Sequence, residues 1–438
     1  MERSIMKDLK AWKASTRRKP LILQGVRQCG KTYILKKLGQ ENYQSTAYFN
    51  FEGQPKLCEV FQKNLDTNRI IFELAAFSDI KIKPQETLII LDEIQLCPKA
   101  LTALKYFCEN NNDYHIVSAG SLLGIQLAEP TSFPVGKVNL LHLYPLSFEE
   151  FLLACGQETL IEYTKELGLS SVIPEIIADK MLSFWLDYQI CGGLPEAVSV
   201  YIQDRDVQAT DQILDDLLVL YDRDIRKHAL PLDAPKIDLV WHSVPSQLAR
   251  IKNKFIYKEI ADGARARDYE NSLQWLINAS MIHMITHISA PRIPLPAYED
   301  THHFKLLTLD IGLLRRLSRL SANSIILSDK HYAEFKGAIA ENFFAQEMLA
   351  YGLSDLHFWT SGNTAEVDFV VANDSRIIPV EIKAADNVRA RSLSVYQERY
   401  QPEISVKVSL KGLSYSAGNR LLCLPHYLLF RFKELTLQ

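Results

Sequence analysis

The chain has 438 residues, of which 47% are hydrophobic and 23% charged, and a formal net charge of -3. That length exceeds one ordinary domain and predicts two to four. The composition is that of a soluble globular protein, and the near-neutral charge excludes a global basic footprint, so any nucleic-acid contact must come from a local patch.

Seven scattered cysteines (Cys29, Cys58, Cys97, Cys108, Cys155, Cys191, Cys423) form no CxxC and no metal-ligand spacing. They read as reduced thiols of a cytoplasmic protein. No stretch reaches the roughly 18 continuous apolar residues of a membrane span. The N-terminal "MERSIMKDLKAWKASTRRKP" has no signal-peptide core and predicts an amphipathic helix.

The first strand is "LIL" (Leu21–Leu23), and "GVRQCGKT" separates it from helix-forming "YILKKL". Glycine, lysine and hydroxyl in that order suit a polyphosphate. Gly25 and Gly30 let the backbone curl, so that N–H groups of Val26, Arg27, Gln28 and Cys29 point into one concavity. Lys31 reaches the outer phosphates, Thr32 ligates Mg²⁺, and the helix starting near Lys31 adds its positive dipole end. "STAYFNFEG" (Ser45–Gly53) alternates like a strand and is expected beside the first.

"TLIILDEIQ" (Thr87–Gln95) is a continuous apolar run, as in a buried parallel strand, ending in two acids. Asp92 would hold the magnesium shell, and Glu93 would polarise a water for attack on the γ-phosphate of ATP. An adjacent glutamate base argues for hydrolysis rather than for a small-molecule kinase. A third strand, "YHIVSAGSLLG" (Tyr114–Gly124), ends in Ser118, Gly120 and Ser121. Ser121 is the first candidate to touch the γ-phosphate and Ser118 the second, against a plain Gly-Ser turn.

"LILQGVRQCGKT", "LIILDEIQ", "SAGSLLG", "LYPLSFEEFL" and "CGGLPEAV" together resemble one family of bacterial and archaeal AAA+-type ATPases, whose members join an AAA+-like module to a C-terminal domain of undefined role. The resemblance implies ATP binding and hydrolysis and supplies no substrate. Where the family usually has an arginine before "PLSF", this chain has Lys137, which cannot make a bidentate fork.

"ILDDLLVLYDRDIRKHAL" (Ile213–Leu230) carries a helical apolar stripe of Leu214, Leu217, Leu218 and Tyr221. Its end resembles the family's "YxRDI" signature, in which Arg223 would reach a phosphate of its own or a neighbouring subunit. The competing reading is an Arg–Asp network around Asp222 and Asp224. "CGGLPEAV" (Cys191–Val198) reads as a helix stop and turn.

From Ile237 to Asp310 the pattern is helix ("LVWHSVPSQLAR"), short helix ("IYKEIADGA"), helix ("RDYENSLQWLINASMI"), then strands "MITHIS" and "HFKLLTLD" as a small wing. That is winged-helix order. Arg265, Arg267 and Asn271 stand at the start of the third helix, where they would meet DNA, although such modules also bind protein.

From Phe335 an amphipathic helix carries Glu341, and "LHFWTSGNTAEVDFVVANDSRIIPVEIKAA" predicts two strands joined at Asn373–Ser375. Asp368 lies on the first, while Glu381 and Lys383 share a face of the second. Three carboxylates as metal ligands and a catalytic lysine then converge, enough to bind Mg²⁺ and activate water. This resembles the PD-(D/E)XK nuclease superfamily in the form D-x12-E-x-K, and its Holliday-junction-resolvase-like branch. Arg389 and Arg391 follow, suited to a phosphate backbone.

The expected fold class is α/β. It comprises a P-loop AAA+-type parallel-sheet domain (1–160), a helical lid (161–230), a winged-helix-like domain (231–330) and a restriction-endonuclease-like α/β domain (331–438). The expected function is Mg²⁺-dependent ATP hydrolysis coupled to action on nucleic acid. The alternative is an ATP-dependent protein-interaction switch with an inactive nuclease-like domain. Expected partners are ATP with Mg²⁺, DNA or a protein, and further copies of the chain, with no membrane.

Overall fold

The computed structural model describes residues 1–120, 133–249, 254–326, 330–362, 365–373, 376–384 and 391–436. These form two compact units, Glu2–Tyr144 with Asn278–Ser280, and Pro145–Ile277 with Met281–Gln438.

The first unit is built on five parallel strands: β1 (Leu21–Gln24), β2 (Ser45–Asn50), β3 (Thr87–Asp92), β4 (His115–Gly120) and β5 (Asn139–His142). Their order is β2-β3-β4-β1-β5. β3 and β4 are buried along their whole length, and β3 accordingly reads as a continuous apolar run. Helices Lys31–Asn42, Thr67–Ser78 and Pro98–Asn110 connect the strands. Asp66 caps the second by accepting from the N–H groups of Asn68 and Arg69, and Pro98 opens the third. Phe49, Phe51, Phe61, Ile89, Leu91, Leu104 and Phe107 form a continuous core. The expected N-terminal helix runs Ile5–Ala14 and buries Ile5, Met6, Leu9 and Trp12.

β2 is not beside the first strand. It pairs with β3 from Ser45↔Thr87 to Asn50↔Asp92 and forms the edge of the sheet. Its alternating burial suits an edge, whereas the fully buried β4 takes the place next to β1.

In the second unit, helices Phe148–Ala154, Glu175–Cys191, Pro195–Asp204, Val207–His228 and Ala234–Leu248 share the unit with a sheet. Ser147 and Glu150 close a capping box on the first. Leu214, Leu217, Tyr221 and Ile225 make the buried stripe of Val207–His228. The expected stop at "CGG" is real, and it needs glycine. A Cβ on Gly192 (φ +68) would lie 2.2 Å from Asp310 Oδ1, and one on Gly193 would lie 2.3 Å from the Leu146 carbonyl oxygen.

The sheet has eight strands: β6 (Ile282–Ile288), β7 (Glu299–Thr308), β8 (Leu356–Thr360), β9 (Glu366–Asn373), β10 (Arg376–Ile382), β11 (Ser405–Ser409), β12 (Ser414–Ser416) and β13 (Leu421–Pro425). They lie in the order β12-β13-β11-β10-β9-β8-β6-β7. Three expectations change here. "IYKEIADGA" holds a single 3₁₀ turn, Tyr257–Glu259, rather than a second α-helix. The β6–β7 hairpin is not a separate wing, because β6 also pairs in parallel with β8. A lone hairpin is marginal, and β6 carries buried residues that need a neighbour. Finally, "LHFWT" is a strand of its own, so the stretch expected to give two strands gives three. Helix Lys330–Ala350 precedes β8, and helix Arg391–Tyr400 stands between β10 and β11.

Candidate functional site

The loop after β1 is shaped by its glycines. A Cβ on Gly25 would meet the Leu143 carbonyl oxygen at 2.4 Å, and Gly30 takes φ 96° as the residue before helix Lys31–Asn42. Arg27 and Gln28 are exposed while Gly25, Val26 and Cys29 are buried, so the loop presents a polar crest over an anchored base. Lys31 is buried, and its Nζ donates to the carbonyls of Gly25 (3.0 Å) and Val26 (2.7 Å), which holds the ammonium inside the loop.

The acids of β3 meet the end of that loop. Thr32 Oγ1 donates to Asp92 Oδ2 at 2.7 Å, joining the two motifs across the sheet. Tyr48 Oη donates to the same oxygen at 2.8 Å. Burial and that hydrogen bond push the Tyr48 phenol up to about 12, so it stays a donor. Glu93 takes a left-handed conformation (φ 53°) directly after the strand, and its carboxylate accepts from the Gln95 amide. Ser118 is buried, its Oγ has no partner, and it pairs with Ile22 and Leu91, two residues short of the strand tip. Ser121 lies outside the described residues.

Sequence reasoning missed four residues of this site. Tyr48 and Asn50 share a face of β2, which its alternating pattern could have signalled, and Asn50 Nδ2 donates to Tyr48 Oη at 3.2 Å. His142 pairs with Gln24 at the end of β1, and burial together with the Lys31 charge lowers it to about 4, keeping the ring neutral. Arg3, buried ahead of the first helix, donates to the carbonyls of Cys29 (3.1 Å) and Tyr144 (2.6 Å). No local pattern could have indicated that.

The remaining candidates are spread over the chain. Lys137 is ion-paired with Glu109 at 2.9 Å. Arg223 belongs to the second unit and is exposed on Val207–His228. Beside it, Asp222 faces His242 at 3.3 Å. Arg265, Arg267 and Asn271 are exposed around the start of helix Ala266–Asn278, with Arg267 3.8 Å from Asp268. Arg391 is exposed at the start of its helix, and Arg389 lies outside the described residues.

The second unit brings the C-terminal acids together. β9 and β10 pair antiparallel, with Val380 opposite Phe369. Asp368 Oδ2 accepts the N–H of Ile382 at 2.7 Å, and Lys383 Nζ lies 2.6 Å from Glu381 Oε1. Glu381 Oε2 is buried and has no hydrogen-bond partner. A residue from the expected wing enters this centre. Lys305 of β7, fully buried, reaches Glu366 Oε1 at 2.7 Å and Glu341 Oε2 at 3.4 Å. Burial, then the charges of Glu341 and Glu381, raises the Asp368 carboxyl well above its ordinary range. Burial likewise raises Glu381, against the pull of Lys383. Burial alone would lower Lys305, but Glu341, Glu366 and Asp368 hold the ammonium above its ordinary value.

Residues 17–152 match a family model described as an AAA domain, and the first unit therefore carries an AAA-type nucleotide-binding domain. Residues 183–324 and 336–427 match two families described only as domains of unknown function. None of the curated proteins matches the chain. Among solved structures, the chain is similar to a Walker-type ATPase of Pyrococcus abyssi at 13% identity and a TM-score of 0.45, covering 71% of this chain and 94% of that one. It is also similar to the ORC2 protein of Aeropyrum pernix (13%, TM-score 0.36, 75% and 95%) and to RuvB of Thermotoga maritima (14%, 0.28, 64% and 88%). At such identities and scores nothing is carried over from them. No helix among the described residues is long and apolar enough to cross a membrane.

Proposed function

We propose that the first unit hydrolyses ATP. The observation that carries this reading is the 2.7 Å bond from Thr32 to Asp92, which joins the phosphate loop to the acidic strand end. A hydroxyl and a carboxylate, with Tyr48 orienting the latter, make the hard oxygen set that suits Mg²⁺. When bound there, Mg²⁺ would screen the phosphate charge. Lys31 and the loop N–H groups bind the β- and γ-phosphates, and Glu93 takes the proton of the attacking water. Lys31→Ala should abolish nucleotide binding, measured by calorimetry. Glu93→Gln should keep binding and stop phosphate release, since an amide cannot accept the proton. Parent-rate release by the glutamine variant would remove Glu93 from this role.

For the second unit, the favoured reading is a nuclease-like domain that binds a divalent metal and acts on nucleic acid, with cleavage the activity to be tested. Its support is the element order helix, three antiparallel strands, helix, parallel strand, with Glu341, Asp368, Glu381 and Lys383 gathered on it. The orphaned Glu381 oxygen and the crowded carboxylates fit a hard dication. Glu341, Asp368 and Glu381 would hold it, with Lys383 steadying the charge of the attacked phosphate. One observation favours the protein-switch alternative: the Lys305 ammonium already neutralises Glu341 and Glu366.

Mn²⁺ added to the full chain decides between them. Under the nuclease reading it raises the melting temperature by linkage, Asp368→Asn removes the rise, and branched or single-stranded DNA is cut unless Lys383 is changed to Ala. A chain that ignores millimolar Mn²⁺ and leaves DNA intact is the switch.

A further inference from the structure

A different cluster lies at the β6–β7 end of the same sheet. The register jumps between Thr286↔Phe304 and His287↔Asp300, which sets His287 opposite Asp300 and leaves His303 in the stretch of β7 without a register partner. His303, three residues along β7, stacks on His287 with ring centroids 4.7 Å apart and 21° between the planes. One ligand atom from each of His287, Asp300 and His303 falls within 4.8 Å of the others. Phe358 closes the inner side, its ring edge-on to both imidazoles at 5.3 and 5.0 Å.

His287 is the informative member. Its Nε2 lies 3.1 Å from Thr360 Oγ1, which fixes the ring, while its Nδ1 is buried with no hydrogen-bond partner. A buried polar nitrogen without a partner is costly. The pattern, one nitrogen held by an outer group and the other left over, is that of a metal-ligating imidazole. His303 is half-buried and Asp300 exposed, so both are free to adjust. We propose that His287, Asp300 and His303 form a binding site for a late first-row transition-metal dication such as Zn²⁺.

Two imidazoles and one carboxylate are borderline donors, which prefer Zn²⁺ or Ni²⁺ to Mg²⁺. Both rings are ready to ligate. Burial, with the Lys254 charge, lowers His303 to about 4, and burial lowers His287, so each is neutral near pH 7. Asp300, then Glu366, pull both rings the other way. Tetrahedral Zn²⁺ with bonds of about 2.0–2.1 Å places its ligands about 3.4 Å apart. Binding therefore draws the cluster inward and turns His303 out of the stack. Three protein ligands leave a coordination position open to water.

The experiment uses the full chain, stripped by chelator and titrated with Zn²⁺ in saturating Mg²⁺, so that hard carboxylate sites are already served. One equivalent should bind with micromolar affinity and raise the melting temperature. His303→Ala, at a half-buried position that tolerates truncation, should weaken binding by at least the roughly 10–100-fold that loss of even an outer-shell partner costs. Thr360→Val should weaken it by less, and His242→Ala should leave it unchanged, although His242 sits in another carboxylate cluster. With Co²⁺ as a spectroscopic probe, the absorption should show nitrogen and oxygen ligation without a thiolate band. No saturable binding at millimolar Zn²⁺, unchanged binding by His303→Ala, or a thiolate band would each overturn the assignment.

Discussion

At the residue scale, the nucleotide loop depends on a side chain far from its motif. Arg3 is buried, and its guanidinium is the donor to the carbonyls of Cys29 and Tyr144. Arg3→Ala leaves both carbonyls short of a charged donor and should lower stability by about 2–3 kcal/mol. It should also weaken nucleotide binding, because Cys29 precedes Gly30 and its peptide orientation sets the loop. Arg3→Lys, which reaches one carbonyl only, should recover part of both losses. Equal affinity for a fluorescent ATP analogue in parent and Ala variant would confine Arg3 to the scaffold. Gly25, Lys31, Thr32 and Asp92 were legible because a phosphate demands those types at close spacing. Arg3 and His142 were not, since each reaches the site only through pairing or packing between distant segments.

At the scale of elements, the turn after Glu175–Cys191 is held by Asp310. Its carboxylate accepts from the N–H groups of Gly193 (2.6 Å) and Leu313 (3.1 Å) and from the Gln346 amide (3.2 Å). One buried acid thus ties a helix end, a helix start and the long helix Lys330–Ala350. Asp310→Ala strands these donors and should cost about 2–4 kcal/mol, read from urea unfolding. Gly193→Ala should cost a similar amount for a different reason, because the Leu146 backbone oxygen it would strike cannot swing aside. A loss below about 0.5 kcal/mol in either variant, the size of an ordinary surface change, would contradict this account. The glycine turn and the hairpin of β6 and β7 were visible in the sequence, since both are local patterns. The neighbour of β6 was not. Its pairing with β8 spans some seventy residues, and burial on both faces describes a central strand without saying which strand it adjoins. For the same reason Lys305 looked like a wing residue rather than the cation of the carboxylate centre.

At the scale of the molecule, buried acids set how stability responds to pH. Glu347, fully buried on Lys330–Ala350, accepts the N–H of Phe148 at 2.8 Å through Oε1, while Oε2 has no partner. Burial pushes the carboxyl up to about 8, with Glu150 and Glu149 adding repulsion, against an ordinary value of 4.5. The folded chain keeps a proton that the unfolded chain releases above about pH 4.5. The resulting stability is whole below that pH and is lost as pH rises through about 8. At about 1.4 kcal/mol per unit, the loss is of the order of a few kcal/mol. Glu347→Gln keeps the acceptor for Phe148 and carries no charge in either state. Its melting temperature should match the parent's near pH 4 and exceed it by a widening margin up to pH 8. Asp310 and Asp368 are also raised by burial, so the variant should retain some decline of its own. The quantity that isolates Glu347 is the difference between the two curves, and a difference that stays constant from pH 4 to 8 would mean that this carboxyl is ionised in the folded chain.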